Sequence, residues 1–370
     1  MPFTVETLSL SGFRSYKDAY LSFDPALTIL HGPNAAGKTN IIEALQMLTV
    51  GESFRKPHRQ DLINWEYSQA SAIMRAIDEN LQRDVSLTIT EKSKTTTVNE
   101  KRIQSAFELS SALPCVVFNP DDLRIVKESS ATRRKELDGL GSQLSATYAR
   151  LVSEYKKIVS QRNKMLKDNQ YGSPAFNAWT DRMIEVGLAL AEKRISLLEH
   201  LEPQVIRFYL GLLGQDGDTD SDLTMCYASS WGQEKNETSF RGVLVQRKED
   251  EIARRQSLVG PHRDDIIFEI NGKLARNFAS QGQQRSIALA WKLAQLVVIE
   301  DLCQTRPLLL LDDVMSELDQ QRRLFLANMV GETTQTIITT AHIDYFEKDL
   351  VERAKVILIP EGVIPKKAMQ

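Results

Sequence analysis

The chain has little of three things. Among its 370 residues are three cysteines, Cys115, Cys226 and Cys303, odd in number, far apart and without metal-ligand spacing. That excludes a disulfide framework and predicts reduced thiols of a cytoplasmic protein, packed as small apolar side chains. Neither sign of charge is in large excess, since the formal net charge is −3 with 26% charged residues. Any binding of nucleic acid must then come from a local patch rather than from bulk charge. No apolar run approaches the ~18 residues of a membrane span, and Glu6 stands where a secretory leader carries bases, so neither a span nor a leader is expected.

What is present points to nucleotide chemistry. The length predicts one large α/β domain with an inserted subdomain, or two lobes, and 42% hydrophobic residues suffice for a sizeable core. Gly32-Pro33-Asn34-Ala35-Ala36-Gly37-Lys38-Thr39 follows the apolar run Leu27 to Leu30. It opens a stretch in which Ile41, Ile42, Leu45 and Leu48 recur at helical spacing. This is a phosphate-binding loop in its proper setting. Glycines let backbone N–H groups converge on phosphates at a helix N-terminus, Lys38 reaches the β and γ oxygens, and Thr39 holds Mg²⁺.

The pattern divides the chain into three parts. From Leu8 to about Val126 strands dominate, with Val85, Leu87 and Ile89 alternating as in a half-buried strand. Between about Ser130 and Leu213 the period is helical: Leu144, Tyr148, Leu151, Tyr155 and Ile158 form one stripe. Asn169 to Pro174 breaks it, and Trp179, Met183, Leu190, Leu197 and Leu201 form another. Two antiparallel helices, an arm or lid, are expected, with Gly139 and Gly141 weakening an unbroken first helix. Gly214 to Asp222 spaces its aspartates like a calcium loop, but Ser221 and Tyr227 stand where such a loop needs glycine and glutamate, so a solvated loop is expected. Beyond Ser257 the α/β style returns: Ile266 to Ile270 runs into an Asn271-Gly272 turn, Gln284 to Val298 is helical, and Leu308 to Leu311 and Thr336 to Thr339 are short buried strands. The divisions are 1–129, 130–256 and 257–370.

Leu308 to Leu311 ends in Asp312-Asp313, carboxylates placed where an acid meets Mg²⁺ at the C-terminal edge of a parallel sheet. Asp312 is the metal-side candidate, and Asp313 the group that polarises the attacking water. Ser280-Gln281-Gly282-Gln283-Gln284 opens a helix and offers a second set of N–H donors to an anion. This pentad resembles the signature motif of ABC-type ATPases, which closes over a nucleotide held by the other subunit. Ser316-Glu317-Leu318-Asp319 resembles their D-loop, and His342 stands where a switch histidine meets the γ-phosphate.

With Leu10 to Tyr16, Gly32 to Asn40, Val116 to Leu123 and Gly260-Pro261-His262-Arg263-Asp264-Asp265 added, the chain resembles nearly end to end the RecF family of bacterial recombination and repair ATPases, ABC-type enzymes related to SMC proteins. The resemblance implies an ABC-type ATPase head of α/β class with an inserted helical arm. It also implies ATP and Mg²⁺ as ligands, a homodimer formed on ATP binding, and DNA bound at gaps and single-strand/double-strand junctions. RecR, with RecO, would be the protein partner in loading RecA. By position, Arg14, Gly32, Asn34, Gly37, Lys38, Thr39, Asn40 and Asn119 would serve the nucleotide in one subunit, with Thr39 and Asp312 on the metal. Ser280, Gly282 and Gln283 would serve the nucleotide of the other. Lys38, Asp312, Asp313 and His342 would carry hydrolysis. Asn119 is one methylene shorter than the usual Q-loop glutamine, and Asp313 replaces the usual glutamate, which predicts slow turnover.

Two basic clusters are candidates for DNA phosphates, Arg55, Lys56, His58 and Arg59, and Arg150, Lys156, Lys157, Arg162, Lys164 and Lys167, faced only by Glu154; Arg133, Arg134 and Lys135 form a third cluster to which no such role is given. A transporter's nucleotide-binding subunit is the alternative ATPase reading. There the signature lies close to the phosphate loop, whereas here most of the chain separates Gly32 from Ser280.

Overall fold

The computed structural model describes residues 4–78, 81–103, 105–110, 113–213, 222–232, 234–330 and 334–360. Its centre is a five-stranded parallel sheet of order β14-β3-β13-β12-β8, built from β3 (Leu27–His31), β8 (Cys115–Phe118), β12 (Leu308–Asp312), β13 (Thr336–Thr340) and β14 (Lys355–Leu358). Strands β12 and β13 are buried at every residue, as near-continuous apolar and β-branched runs are when both sheet faces are covered.

Side-chain alternation turns that sheet into a partition between two cores. Leu308, Leu310 and Ile337 point to one side, Leu309, Leu311 and Ile338 to the other. On the first side lie α1 (Lys38–Thr49), α2 (Ala106–Ser110) and an antiparallel sheet of order β2-β1-β4-β5-β6-β7. Its strands are β1 (Thr4–Phe13), β2 (Tyr16–Ser22), β4 (Gln69–Asp78), β5 (Leu81–Thr90), β6 (Lys94–Val98) and β7 (Lys101–Arg102). Val85, Leu87 and Ile89 of β5 are fully buried, as their alternation predicted.

The second core is helical. It holds α3 (Ser130–Leu144), α4 (Ala146–Lys167), α5 (Pro174–Leu213) and α9 (Gln281–Cys303). The sheet β11-β10-β9 joins them, from β9 (Leu223–Ala228), β10 (Asp265–Ile270) and β11 (Lys273–Leu274). Smaller helices are α6 (Glu237–Gln246), α7 (Lys248–Arg254), α8 (Ala275–Phe278), α10 (Gln320–Met329) and α11 (Lys348–Arg353). Asn271 and Gly272 both take positive φ between β10 and β11, the turn their dipeptide predicted.

The arm differs in detail from its expectation. The first expected helix is two, α3 and α4, broken at Ser145 rather than at Gly139 or Gly141, and Tyr148 packs too close to Gly141 for any side chain there. Helices α4 and α5 are antiparallel, with Arg182 on Glu154 and Thr180 on Arg162. Of the second predicted stripe, Met183, Leu190, Leu197 and Leu201 are buried, but Trp179 remains 37% exposed. Cys115 is buried, whereas Cys226 is exposed on β9 and does not pack as an apolar side chain. Asp216, Asp218 and Asp220 lie outside the described residues. Among those residues no helix is long and apolar enough to cross a membrane.

Candidate active site

The site forms where β3, β12 and β13 end together. Parallel pairing sets Thr340 beside His31 and Asp312 beside Thr339, so the phosphate loop after β3 and the acid pair after β12 share one sheet edge. Gly32 approaches the Ile359 carbonyl too closely for any side chain, and Gly37 has φ of 100° as the residue capping α1. The loop is thereby held against β14 and turned into the helix N-terminus.

Lys38 is buried and folds back to donate to the carbonyls of Gly32 (2.8 Å) and Pro33 (2.9 Å). Burial lowers its pKa, opposed by Asp313 and Asp312. Thr39 Oγ1 donates to Asp312 Oδ1 at 2.9 Å. Thr339 Oγ1 donates to the same oxygen at 2.9 Å and accepts from the Asp313 N–H at 2.9 Å. One threonine hydroxyl therefore fixes both acids. Thr339 was missed at the sequence level, where only its strand was recognised, and a hydroxyl in register with the acid pair was the available signal.

Asp313 is left-handed (φ 54°), which turns its side chain off the strand, and its buried Oδ1 has no partner. Burial raises the pKa of both acids. The charges of Lys38 and then His342 oppose that at Asp313, and His342 itself is exposed. Hydroxyl and carboxylate oxygens are the hard donors Mg²⁺ takes, and two protein ligands suit an ion that keeps waters and substrate phosphates. Thr39 and Asp312 therefore fit that metal.

Other predicted residues are placed differently. Arg14 spends its guanidinium on buried Glu43, at 2.9 and 2.8 Å, and on the Asp61 carbonyl at 2.8 Å, so it braces α1 instead of facing open solvent. Asn40 bonds Ser15 and receives Arg55 (3.0 Å), and Asn34 is exposed. Arg55 thus belongs to the loop's surroundings rather than to a remote patch. Asn119, next to β12 on the same edge, caps a 3-10 turn by accepting from the Asp121 N–H. Ser280 and Gln283 form a reciprocal capping box at the exposed start of α9, and the Gly282 carbonyl takes Arg322. Ser280 and Gln281 are exposed, so the helix start lies at the surface.

The basic clusters are sorted by burial. Arg162 is buried on Glu251, Ser257 and Thr180, over the Phe176 ring, and leaves the basic face of α4. Lys156, Lys164 and Lys167 remain together with Ser160 and Asn163 along a surface groove, Lys157 is exposed, and Glu154 is taken by Arg182. Arg133 is buried on Asp265 and Arg134 binds the Asp264 carbonyl, so both are structural. Arg59 reaches the Lys92 carbonyl, while Lys56 neighbours Lys135, whose pKa is lowered by burial and then by that lysine. The Gly260 to Asp265 string is a clasp: His262 bonds Tyr155 and Ser257, Asp264 takes Tyr227 and the Ser230 N–H, and the Pro261 carbonyl takes Arg194.

A phosphate loop on a parallel sheet, an acid pair on the next strand but one, a capped signature helix starting at the surface and an inserted arm define an ABC-type ATPase head. The family model "RecF/RecN/SMC N terminal domain" matches residues 4–362, and the chain belongs to the RecF family. It is 33% identical to the DNA replication and repair protein RecF of Heliobacterium modesticaldum, over 98% of this chain and 99% of that one. To RecF of Bacillus subtilis it is 32% identical, over 98% and 100%. The solved structure of the recombination mediator protein RecF-ATP in the RecFOR pathway superposes with a TM-score of 0.87 at 27% identity, covering 98% of each chain. The Smc head of Pyrococcus furiosus, at 16% identity and a TM-score of 0.56, shares the fold.

Proposed function

We propose that this protein is an ATP-driven DNA-binding repair ATPase, slow and DNA-stimulated, that works in the cytoplasm. The observation that carries the reading is the Asp312 carboxylate held on the Thr39 hydroxyl, with the Asp313 oxygen beside it left without a partner. Thr39 and Asp312 would hold Mg²⁺, which when bound neutralises phosphate charge. Loop N–H groups and Lys38 bind the triphosphate, and release of Lys38 from two carbonyls frees its charge for the phosphate oxygens. Asp313 orients the attacking water and His342 faces the γ end.

The exposed Ser280 to Gln283 helix end supports a dimer in which each signature closes the other subunit's site. Residues 1–129 and 257–370 then act as the ATPase lobes and 130–256 as the insertion. DNA phosphates would be tracked by Lys156, Lys157 and Lys164 on the arm and by Lys56 and Arg59 near the loop, with duplexes and single-strand/double-strand junctions as substrates. RecR with RecO, and RecA loading, are the partners and outcome that family membership suggests. The test is sedimentation with and without ATP and a gapped duplex: ATP is expected to drive self-association of wild type, and Ser280→Arg to prevent it. Dimerisation of Ser280→Arg equal to wild type would remove the trans role of that motif.

A further inference from the structure

We infer that Tyr16 is a nucleotide ligand whose hydroxyl donates a hydrogen bond to the α/β-phosphate end of a nucleoside di- or triphosphate held by the loop 32–39. The inference rests on the ATP-binding reading above and adds a residue to it.

Two independent observations meet at this side chain. Tyr16 is only 8% exposed, its ring sits in the core beneath β1 and β2, and its buried hydroxyl has no hydrogen-bond partner. A buried polar group without a partner is unfavourable, and native folds rarely keep one without a use. That hydroxyl also touches the phosphate loop: it lies 2.8 Å from where a side chain on Gly37 would begin, with Ser15 Oγ 3.1 Å from the same point. Ser15 is already engaged, accepting from Asn40, whereas Tyr16 is not.

Position along the loop decides which phosphate is met. Loop N–H groups cradle the α- and β-phosphates, while the lysine after Gly37 serves the β and γ oxygens. Gly37 belongs to that cradle, so a hydroxyl against it faces the α/β end. Burial pushes the phenol up to about 12, so it keeps its proton and acts as a neutral donor to an anion.

Tyr16→Phe removes this one oxygen. Because the hydroxyl makes no hydrogen bond in the protein alone, the melting temperature without nucleotide is expected to stay at the wild-type value. Calorimetric Kd values for Mg-ATP and Mg-ADP are expected to rise together, about tenfold or more, as when a hydrogen bond to a charged group is removed. Unchanged affinity for both nucleotides would overturn the inference, as would a loss confined to ATP or a lower melting temperature with affinity intact. Lys38→Met, run alongside, separates the two levels. If it abolishes binding while Tyr16→Phe leaves both affinities at the wild-type value, only the Tyr16 assignment fails. A wild type that binds neither nucleotide overturns both.

Discussion

Thr39 and Asp312 are 273 positions apart in the chain and 2.9 Å apart in the fold, hydroxyl to carboxylate. They meet because β3 and β12 both flank β13 in parallel, which brings their C-terminal ends to one edge. Asp312→Asn keeps the shape and removes the charge. It is expected to lower single-turnover hydrolysis about a hundredfold or more while leaving ATP binding within a few-fold of wild type. Lys38→Arg is expected to impair both. An Asp312→Asn protein that hydrolyses ATP at the wild-type rate would take this acid out of the reaction.

Lys292 on α9 is buried between Asp122 (3.3 Å) and Glu136 (2.7 Å), tying the signature helix to the turn capped by Asn119 and to α3. Although burial opposes its charge, Asp122 and Glu136 hold its pKa above the ordinary lysine value. Lys292→Met takes the cation from two half-buried carboxylates and is expected to cost about 1–3 kcal/mol in denaturant unfolding. Adding Asp122→Asn and Glu136→Gln removes the stranded charge and is expected to recover much of that stability.

His262 is neutral in its clasp, since Ser257 offers only a carbonyl and Tyr155 a hydroxyl. Burial pushes its pKa down to about 4, and nearby Arg263, Arg134 and Arg162 also disfavour a second proton. An unfolded histidine titrates near 6.5, so its contribution is intact above about pH 6.5 and is lost as pH falls toward about 4, amounting to roughly 3 kcal/mol at most. Melting curves of His262→Gln against pH are expected to be flatter than wild type across that window. Parallel curves would show that another group carries the acid sensitivity.

Charge reversal of Lys156, Lys157 and Lys164 to glutamate is expected to weaken duplex binding by the same factor for unrelated sequences. The slope of log K against log salt should shrink by about 0.9 for each DNA phosphate that the variant no longer neutralises. Binding that keeps its slope takes the arm out of the interface.

Much of the site was legible in the sequence because its parts are contiguous. A phosphate loop needs glycine at fixed spacing before a helix, and the run from Gly32 to Thr39 carries that requirement without help from distant residues; the apolar run into Asp312-Asp313 is equally local. Alternation over Val85 to Ile89 and the stripe from Tyr148 to Ile158 were readable because burial of one face repeats with the period of the element. Charge was less legible. Arg133 and Arg162 belong to basic clusters in the sequence, yet Asp265 and Glu251 claim them in the fold, and those acids lie far away along the chain.

The amino-acid sequence alone determined that this protein has a loop, a lysine and an acid pair suited to a triphosphate, since those elements are defined by neighbours within a few residues. Only tertiary structure decided that Thr339 fixes both acids, that Arg14 braces Glu43, and that the Tyr16 hydroxyl rests unpaired against Gly37. The physical reason is range. Backbone conformation and periodic burial are written locally, whereas the partner of a polar side chain is set by which distant strands the packing of two cores places side by side.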